Sequence, residues 1–485
     1  MDKPRLTTAS LGYVHPGVSV PAYARESVQC GIVHLGVGNF HRAHQAVYCE
    51  DVLSHGDFRW GICGVSLRSS KIRDRLSPQD GLYTVIEKDG REQRPRIIGA
   101  IKEVLSAPEN PVCVLDRLTD PATKIVSLTI TEKGYARSSG RDVDWEPSKL
   151  CNQEAPALLF LVEALWRRWK AGGTLFTVLS CDNLAKNGEV LKQKLCRIAF
   201  DRDREFSHFL EQRLASPSTM VDRIVPQTSL DDIDDAAERL GVLDAALVPT
   251  EPFRQWIIED NFPLGRPAWD DHGATFVANV APYEKMKLRL LNGAHTFMAL
   301  FGQLTDTTYV HEVAARGDVG RFLSVLWASA EATLAAEFDY REYQRALRKR
   351  FLNSALQHRT SQIAADTSQK MPQRILAPLF ELKEAGHSTR PHSFVVALWM
   401  HFLRGESESS RRIKLDDPLR ERLGNAAFGD DIGQILSVGG VFPPEMATDS
   451  DVHREVDALR TEIASVGVAP ALAQHIEAAN KGEAA

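Results

Sequence analysis

Lys287, Asn292 and His295, with Glu284 just upstream, lie within the thirteen residues from Tyr283 to His295, YEKMKLRLLNGAH. If the segment is an α-helix, each residue turns the chain by ~100°. With Lys287 at zero, Glu284 falls near ~60°, His295 near ~80° and Asn292 near ~140°. An amine, a carboxamide, an imidazole and a carboxylate then share one side of one rod. Leu291, Ala294 and Met298 flank that side, so the polar groups stand in a largely apolar wall. Such a wall disfavours the ammonium form and lowers a lysine pKa. A lysine brought near neutrality can take a proton from an alcohol. The competing reading of the same spacing is an amphipathic helix whose polar stripe faces water.

Gly31 to Leu35 (GIVHL) is a short β-prone run, followed at once by Gly36-Val37-Gly38-Asn39-Phe40-His41. A helix is expected over Arg42 to Leu53 and a second strand over Trp60 to Leu67. Strand, glycine pair and helix form the entry to a dinucleotide-binding unit. Gly36 permits the tight turn and Gly38 lets the backbone approach a pyrophosphate. His41 stands where a third glycine is usual, so the match is partial. NAD enzymes commonly end the second strand with an acid that bonds the ribose 2′-hydroxyl, whereas an arginine there can accept the NADP phosphate. Here the strand ends in Leu67-Arg68-Ser69-Ser70-Lys71, with no acid before Asp74. Arg68 can also stack on an adenine face. NAD is the expected cofactor, and NADP is not excluded.

The elements that must position these residues divide the chain in two. At 485 residues the expectation is two domains. Residues 1–277 alternate strand-like and helix-like runs: Leu82 to Glu87, Lys124 to Thr131, the helix Ala155 to Lys170, then Thr174 to Ser180. Near-continuous apolar strands divided by helices indicate an α/β fold, a Rossmann-type doubly wound parallel sheet. Residues 278–485 read as mostly α-helical, with long patterns over Gly320 to Phe338 and Ser393 to Leu403. A cleft between the two domains is the expected ligand site. Ligands of open α/β sheets sit beyond the carboxyl ends of strands, which nominates Thr131, Glu132 and Asn183. The alternative reading is that Asp182 or Asn183 caps the following helix.

Composition narrows the function. The chain is 43% hydrophobic and 25% charged with a formal net charge of −6, an ordinary globular profile that argues against nucleic acid as the main ligand. No apolar run approaches the ~20 residues of a membrane span. The start of the chain lacks a secretory pattern. Its seven cysteines are scattered with no CxxC, which suits reduced thiols in the cytoplasm. His34, His41 and His44 cluster near the glycine turn, but not at metal-ligand spacing. No metal is expected, so an alcohol's proton must go to a side chain.

Four motifs in order, Gly36-x-Gly38-x-Phe40-x-Arg42, SCDN at 180–183, MVDRI at 220–224 and Lys287-x4-Asn292-x2-His295, resemble the polyol-specific long-chain dehydrogenases, the mannitol dehydrogenase family. The resemblance runs over nearly the whole chain. It implies metal-independent hydride transfer between a nicotinamide and a secondary alcohol of a sugar derivative. It implies Lys287 as general base or acid, Asn183 and Asn292 as an oxyanion clamp, His295 as a substrate-orienting group, and Glu284 as an aid to proton exchange with solvent. Gly36, Gly38, Phe40, Arg68, Thr131 and Glu132 would meet the cofactor, and Asp222 the substrate. A monomer is consistent with the family.

Asn353 to Arg374, NSALQHRTSQIAADTSQKMPQR, is more similar to the fructuronate reductase (mannonate oxidoreductase) branch than to the mannitol branch. His358, Arg359, Lys370 and Arg374 concentrate cationic groups that suit a hexonate carboxylate, unless they bond backbone carbonyls or surface acids instead. Reduction of fructuronate to mannonate is the expectation. Mannitol–fructose interconversion is the runner-up, and a catalytically silent NAD(H)-binding sensor the alternative of another class.

Overall fold

The computed structural model describes residues 3–480 apart from 138, 337, 428–431, 443–445 and 447. The chain forms two compact units, Met1–Ala281 and Pro282–Ala485.

Eleven strands are described, all in the first unit: β1 Ile32–Leu35, β2 Ile62–Ser66, β3 Tyr83–Asp89, β4 Glu92–Ile98, β5 Ile101–Ser106, β6 Ile125–Leu128, β7 Thr177–Ser180, β8 Thr219–Asp222, β9 Val248–Thr250, β10 Gln255–Glu259 and β11 Thr275–Val277. The central sheet has the order β5-β2-β1-β6-β7, parallel throughout. This is the Rossmann arrangement, with its switch point between β1 and β6. Every residue of β1, β2, β6 and β7 is buried. Burial on both faces is why these strands read as unbroken apolar runs rather than alternating ones. The helix Pro156–Lys170 covers one face. Proline opens it and Arg167, Arg168 and Lys170 occupy its last turn, both favourable to those ends.

Three local expectations change. Tyr83–Asp89 does not join the parallel sheet; it pairs antiparallel with β4 and parallel with β9. Gly90-Arg91 closes that hairpin between the paired Asp89 and Glu92, with Gly90 at φ 58°, and such a turn forces an antiparallel neighbour. Ile101–Ser106, which carries Lys102 and Glu103, was not expected as a strand; it is the sheet edge, where charge is tolerated. The helix after the glycine turn is broken into Asn39–Ala43 and Gln45–Ser54, because His44 leaves helical geometry at φ −121°, ψ −92°.

The second unit is helical, with no named strand among its described residues. The patterns read at Gly320 to Phe338 and Ser393 to Leu403 form helices Gly317–Glu331 and Arg390–Phe402. Most consequential is the lysine segment, which is not one α-helix. Ala281–Met286 is α-helical, Lys287–Asn292 is a π turn, and Gly293–Leu304 is α-helical again. The Gly293 N–H reaches back five residues to the Leu288 carbonyl, and the Leu290 carbonyl accepts the Trp327 indole N–H at 2.8 Å. An inserted side-chain donor of this kind sustains a widened turn. A second π turn, Pro372–Leu376, has the same architecture, with the Ala377 N–H bonded to the Pro372 carbonyl. Its cause is the proline, which lacks an N–H and crowds the carbonyl four residues back. The two π turns approach closely: a Cβ on Gly293 would lie 3.5 Å from the Arg374 carbonyl oxygen.

Candidate active site

In the first unit a cleft of about 280 Å³ is lined by Gly36, Gly38, Arg68, Thr131, Gly134 and Ala155 among others. Gly36 has φ 101°, and a Cβ there would stand 2.2 Å from the Thr129 carbonyl oxygen, so only glycine fits. At Gly38 the nearest atom to such a Cβ is 3.9 Å away, so a side chain would project into open cleft. A bare backbone beside a parallel-sheet switch point is the cradle a pyrophosphate requires. The residues present fit a dinucleotide.

Behind the glycine turn, His34 on β1 bonds Ser127 Oγ at 2.8 Å and Thr129 Oγ1 at 3.0 Å. The Thr129 hydroxyl donates to the Gly36 carbonyl at 2.8 Å. His41, in the third-glycine position, stacks on His34 with ring centroids 3.4 Å apart. A flat imidazole thus fills the helix–strand gap that a glycine would otherwise close. Burial pushes His34 and His44 down to about 3 and His41 well below its ordinary value, so the cluster is uncharged near neutrality. Among the described residues no group of three or more His, Cys, Asp or Glu could hold a metal ion.

Neither Asp182 nor Asn183 caps the following helix, Asn187–Arg202, whose N-cap is Lys186; Asp182 turns instead to the loop after β6. Its Oδ1 accepts the N–H groups of Ile130 and Thr131, each at 2.8 Å, and its Oδ2 accepts the Tyr135 hydroxyl at 2.8 Å. These residues belong to the loop that lines the cleft beyond β6. Thr131 is held at φ 63°, an unfavourable region for a β-branched residue. Burial and the neighbouring carboxylate keep the Tyr135 phenol well above its ordinary pKa, hence a donor. The Glu132 side chain lies outside the described part of the structure. Phe40 is not among the lining residues; it stacks on His44 at 5.0 Å. Asp222 is buried at the end of β8, and Arg223 beside it bonds the Glu251 and Ala43 carbonyls and Glu87. The MVDR segment therefore buttresses the helix that follows the glycine turn. Asn183 is exposed and belongs to this first unit.

In the second unit Glu284, Lys287, Asn292 and His295 are all buried, none more than 8% exposed. The π turn alters their bearings. In an α-helix Asn292 would stand ~140° from Lys287; widening the turn to an i→i+5 repeat brings it back towards the lysine's own face. The Asn292 carboxamide Nδ2 and His295 Nε2 are buried with no hydrogen-bond partner among the described residues. Buried donors and acceptors are normally satisfied, and exceptions mark places where something else is bound. Burial holds His295 well below its usual pKa; His358, Arg350, Arg374 and Lys287 push it the same way. The His295 ring packs edge-on to His358 at 5.7 Å and against Phe351 at 4.8 Å.

The cationic residues of 353–374 separate in space. Arg374 reaches Thr296 Oγ1 at 3.3 Å, next to His295, and burial lowers His358 to about 4. Lys370 bonds the Ile363 and Ala365 carbonyls at 3.0 and 2.5 Å, which is the backbone-tethering alternative. Arg359 is exposed and lies over the Tyr309 ring, 5.3 Å from its centroid. Arg350, 7% exposed, was not singled out from the sequence. Its signal was spacing: it follows buried Leu347 by three residues and adjoins buried Phe351, so it shares their inward face.

Known proteins resemble the chain over nearly its whole length. Residues 30–271 match the mannitol dehydrogenase Rossmann domain and residues 279–463 the mannitol dehydrogenase C-terminal domain. D-mannonate oxidoreductase of Escherichia coli (strain K12) is 39% identical over 469 residues, 93% of this chain and 96% of that protein. A mannitol 2-dehydrogenase of Aspergillus fumigatus is 38% identical over 483 residues, 95% of this chain and 96% of that one. Among solved structures, the Pseudomonas fluorescens mannitol 2-dehydrogenase complex with NAD and D-mannitol superposes with a TM-score of 0.88 at 32% identity, covering 98% of this chain and 99% of that one. Substrate-free D-sorbitol dehydrogenase gives 0.86 at 30% identity, covering 96% and 100%.

Proposed function

The chain belongs to the mannitol dehydrogenase family, and from that premise we propose that it is an NAD(H)-dependent fructuronate reductase, interconverting D-fructuronate and D-mannonate. The reaction is oxidation of a secondary alcohol or reduction of the matching ketone, by hydride exchange with a nicotinamide dinucleotide held by the first unit. When bound, the nicotinamide accepts or supplies the hydride.

The second unit supplies the proton chemistry. In oxidation the neutral Lys287 amine takes the hydroxyl proton; in reduction the ammonium returns it to the nascent alkoxide. The Asn292 carboxamide, buried and without a partner for Nδ2 among the described residues, donates to the oxygen on which negative charge develops. His295 is kept uncharged by its surroundings and orients a substrate hydroxyl through Nε2. Glu284, also buried, is the group through which the lysine exchanges its proton with solvent.

One observation favours a sugar acid over a neutral polyol. Besides burial, the guanidinium groups of Arg350 and Arg374 act on the His295 ring and push its pKa down, and both stay charged near neutrality, whereas His358 does not. A positive field in a desolvated wall favours a carboxylate and gives a neutral hexitol no advantage. Mannitol 2-dehydrogenase is the second reading, since mannitol enzymes are as similar in sequence. Steady-state rates with NADH or NAD on fructuronate, mannonate, fructose and mannitol separate the two. The expected result is kcat/KM for the acids at least about a hundredfold above the neutral pair. A preference for mannitol and fructose overturns the acid.

A further inference from the structure

Two cations, Arg68 in the turn after β2 and Lys71 at the start of the following helix, have no partner to neutralise them among the described residues. Arg68 lines the dinucleotide cleft and is exposed, and its guanidinium has no partner among the described residues. Lys71, also exposed, is likewise without one. The first acid after the strand is already engaged on both oxygens. Asp74 Oδ1 accepts from Arg73 Nε at 2.7 Å and Oδ2 from Ser70 Oγ at 2.8 Å. Arg73 in turn bonds Glu109 at 2.7 Å. The Ser66 hydroxyl bonds the Ser69 carbonyl at 2.5 Å and so fixes the turn from which Arg68 and Ser69 line the cleft.

Selectivity for NAD over NADP normally comes from a carboxylate at this place, which bonds the ribose 2′-hydroxyl and repels a 2′-phosphate. Here the carboxylate is absent from the turn, Asp74 is tied away, and the free charges have the opposite sign. We propose that the cleft accepts NADP(H) as well as NAD(H), with Arg68 and Lys71 holding the 2′-phosphate and Ser69 offering a hydroxyl. A guanidinium meets a phosphate through paired charge-assisted hydrogen bonds, and an ammonium adds a point charge. In NAD the same Arg68 stacks on the adenine, so its presence does not exclude the smaller cofactor. This assignment rests on reading the first unit as the dinucleotide-binding one.

Fluorescence titration of the full-length protein with NADH and NADPH, without sugar substrate, tests it. The expected NADPH Kd lies within about tenfold of the NADH Kd and rises more steeply with salt, because the added contacts are exposed and ionic. Reversing both charges, Arg68→Glu with Lys71→Glu, is expected to weaken NADPH at least about thirtyfold more than NADH. Ser69→Asp restores a carboxylate and is expected to suppress NADPH selectively. NADPH binding more than about a hundredfold weaker than NADH in the unaltered protein overturns the proposal. So does equal weakening of both dinucleotides by the charge reversal, which would leave Arg68 an adenine-stacking role only. Failure to bind either dinucleotide would be a different result, removing the first unit's cofactor role and this inference together.

Discussion

At the residue scale, the two polar groups with most influence on the chemistry work differently. Asp182 touches the cofactor loop rather than any reacting atom. It accepts from Ile130, Thr131 and Tyr135 and holds Thr131 in left-handed backbone. Asp182→Ala leaves two N–H groups without their acceptor and lets Thr131 relax towards ordinary geometry. The expected outcome is an NADH Kd raised about tenfold, with turnover at saturating cofactor much less affected. Asp182→Asn, which keeps one acceptor oxygen, should recover most of the affinity; a carboxamide no better than alanine would refute the positioning role. Lys287 is the opposite case. Lys287→Ala should lower kcat about a thousandfold or more while the NADH Kd stays within a few-fold. Oxidation needs the amine neutral and reduction needs it charged. Oxidation should therefore speed up and reduction slow down as pH rises, and both slopes should vanish in the alanine variant. A loss below tenfold would contradict proton transfer by this residue.

The elements explain which residues the sequence made legible. The glycine turn and the buried parallel strands could be read because close backbone approach and two-sided burial leave a strong signature in residue type. The lysine segment could be read as helical, but not as a π turn, because a one-residue widening follows from a partner distant in sequence, Trp327 on the Leu290 carbonyl. Arg350 was obscured by Arg348 and Lys349 beside it, and Arg359 and Lys370 looked equivalent to Arg374 until packing assigned one to a ring face and another to carbonyls. The π turn itself can be tested. Deleting Leu288, which is only half-buried, removes the extra residue and lets the ladder close as an α-helix. Everything upstream then rotates by ~100° relative to Asn292 and His295. Glu284 and Lys287 turn away, whereas the bond from Trp327 stays on the downstream side. The expected product has near-native far-UV circular dichroism and turnover reduced at least about a hundredfold. Retention of more than a tenth of the activity would mean that the widened turn does not set the lysine's bearing.

For the whole molecule, the buried imidazoles set a limit on acid stability that surface charge does not. Burial lowers His34, His44 and His392 to about 3 and His358 to about 4, and His41 and His295 well below their ordinary value. Unfolded, each titrates near 6.5. Between that pH and the folded value the unfolded chain binds more protons than the native one, so stability falls as pH falls. At pH 5 each such imidazole costs about 2 kcal/mol relative to neutral pH. The carboxylates of ion pairs such as Asp449 with Lys383 or Glu381 with Arg289 act in a lower window, since their folded pKa values are depressed and their stabilisation is lost only on further acidification. Histidine groups of this kind lie in both units, so neither escapes. Scanning calorimetry between pH 8 and pH 4.5 should therefore show Tm nearly constant down to about 6.5 and falling steeply below it. A Tm held flat to pH 5 would mean that the histidines are hydrated and protonate freely in the folded protein. The uncharged state required of His295 beside the proposed proton donor would then have no physical basis.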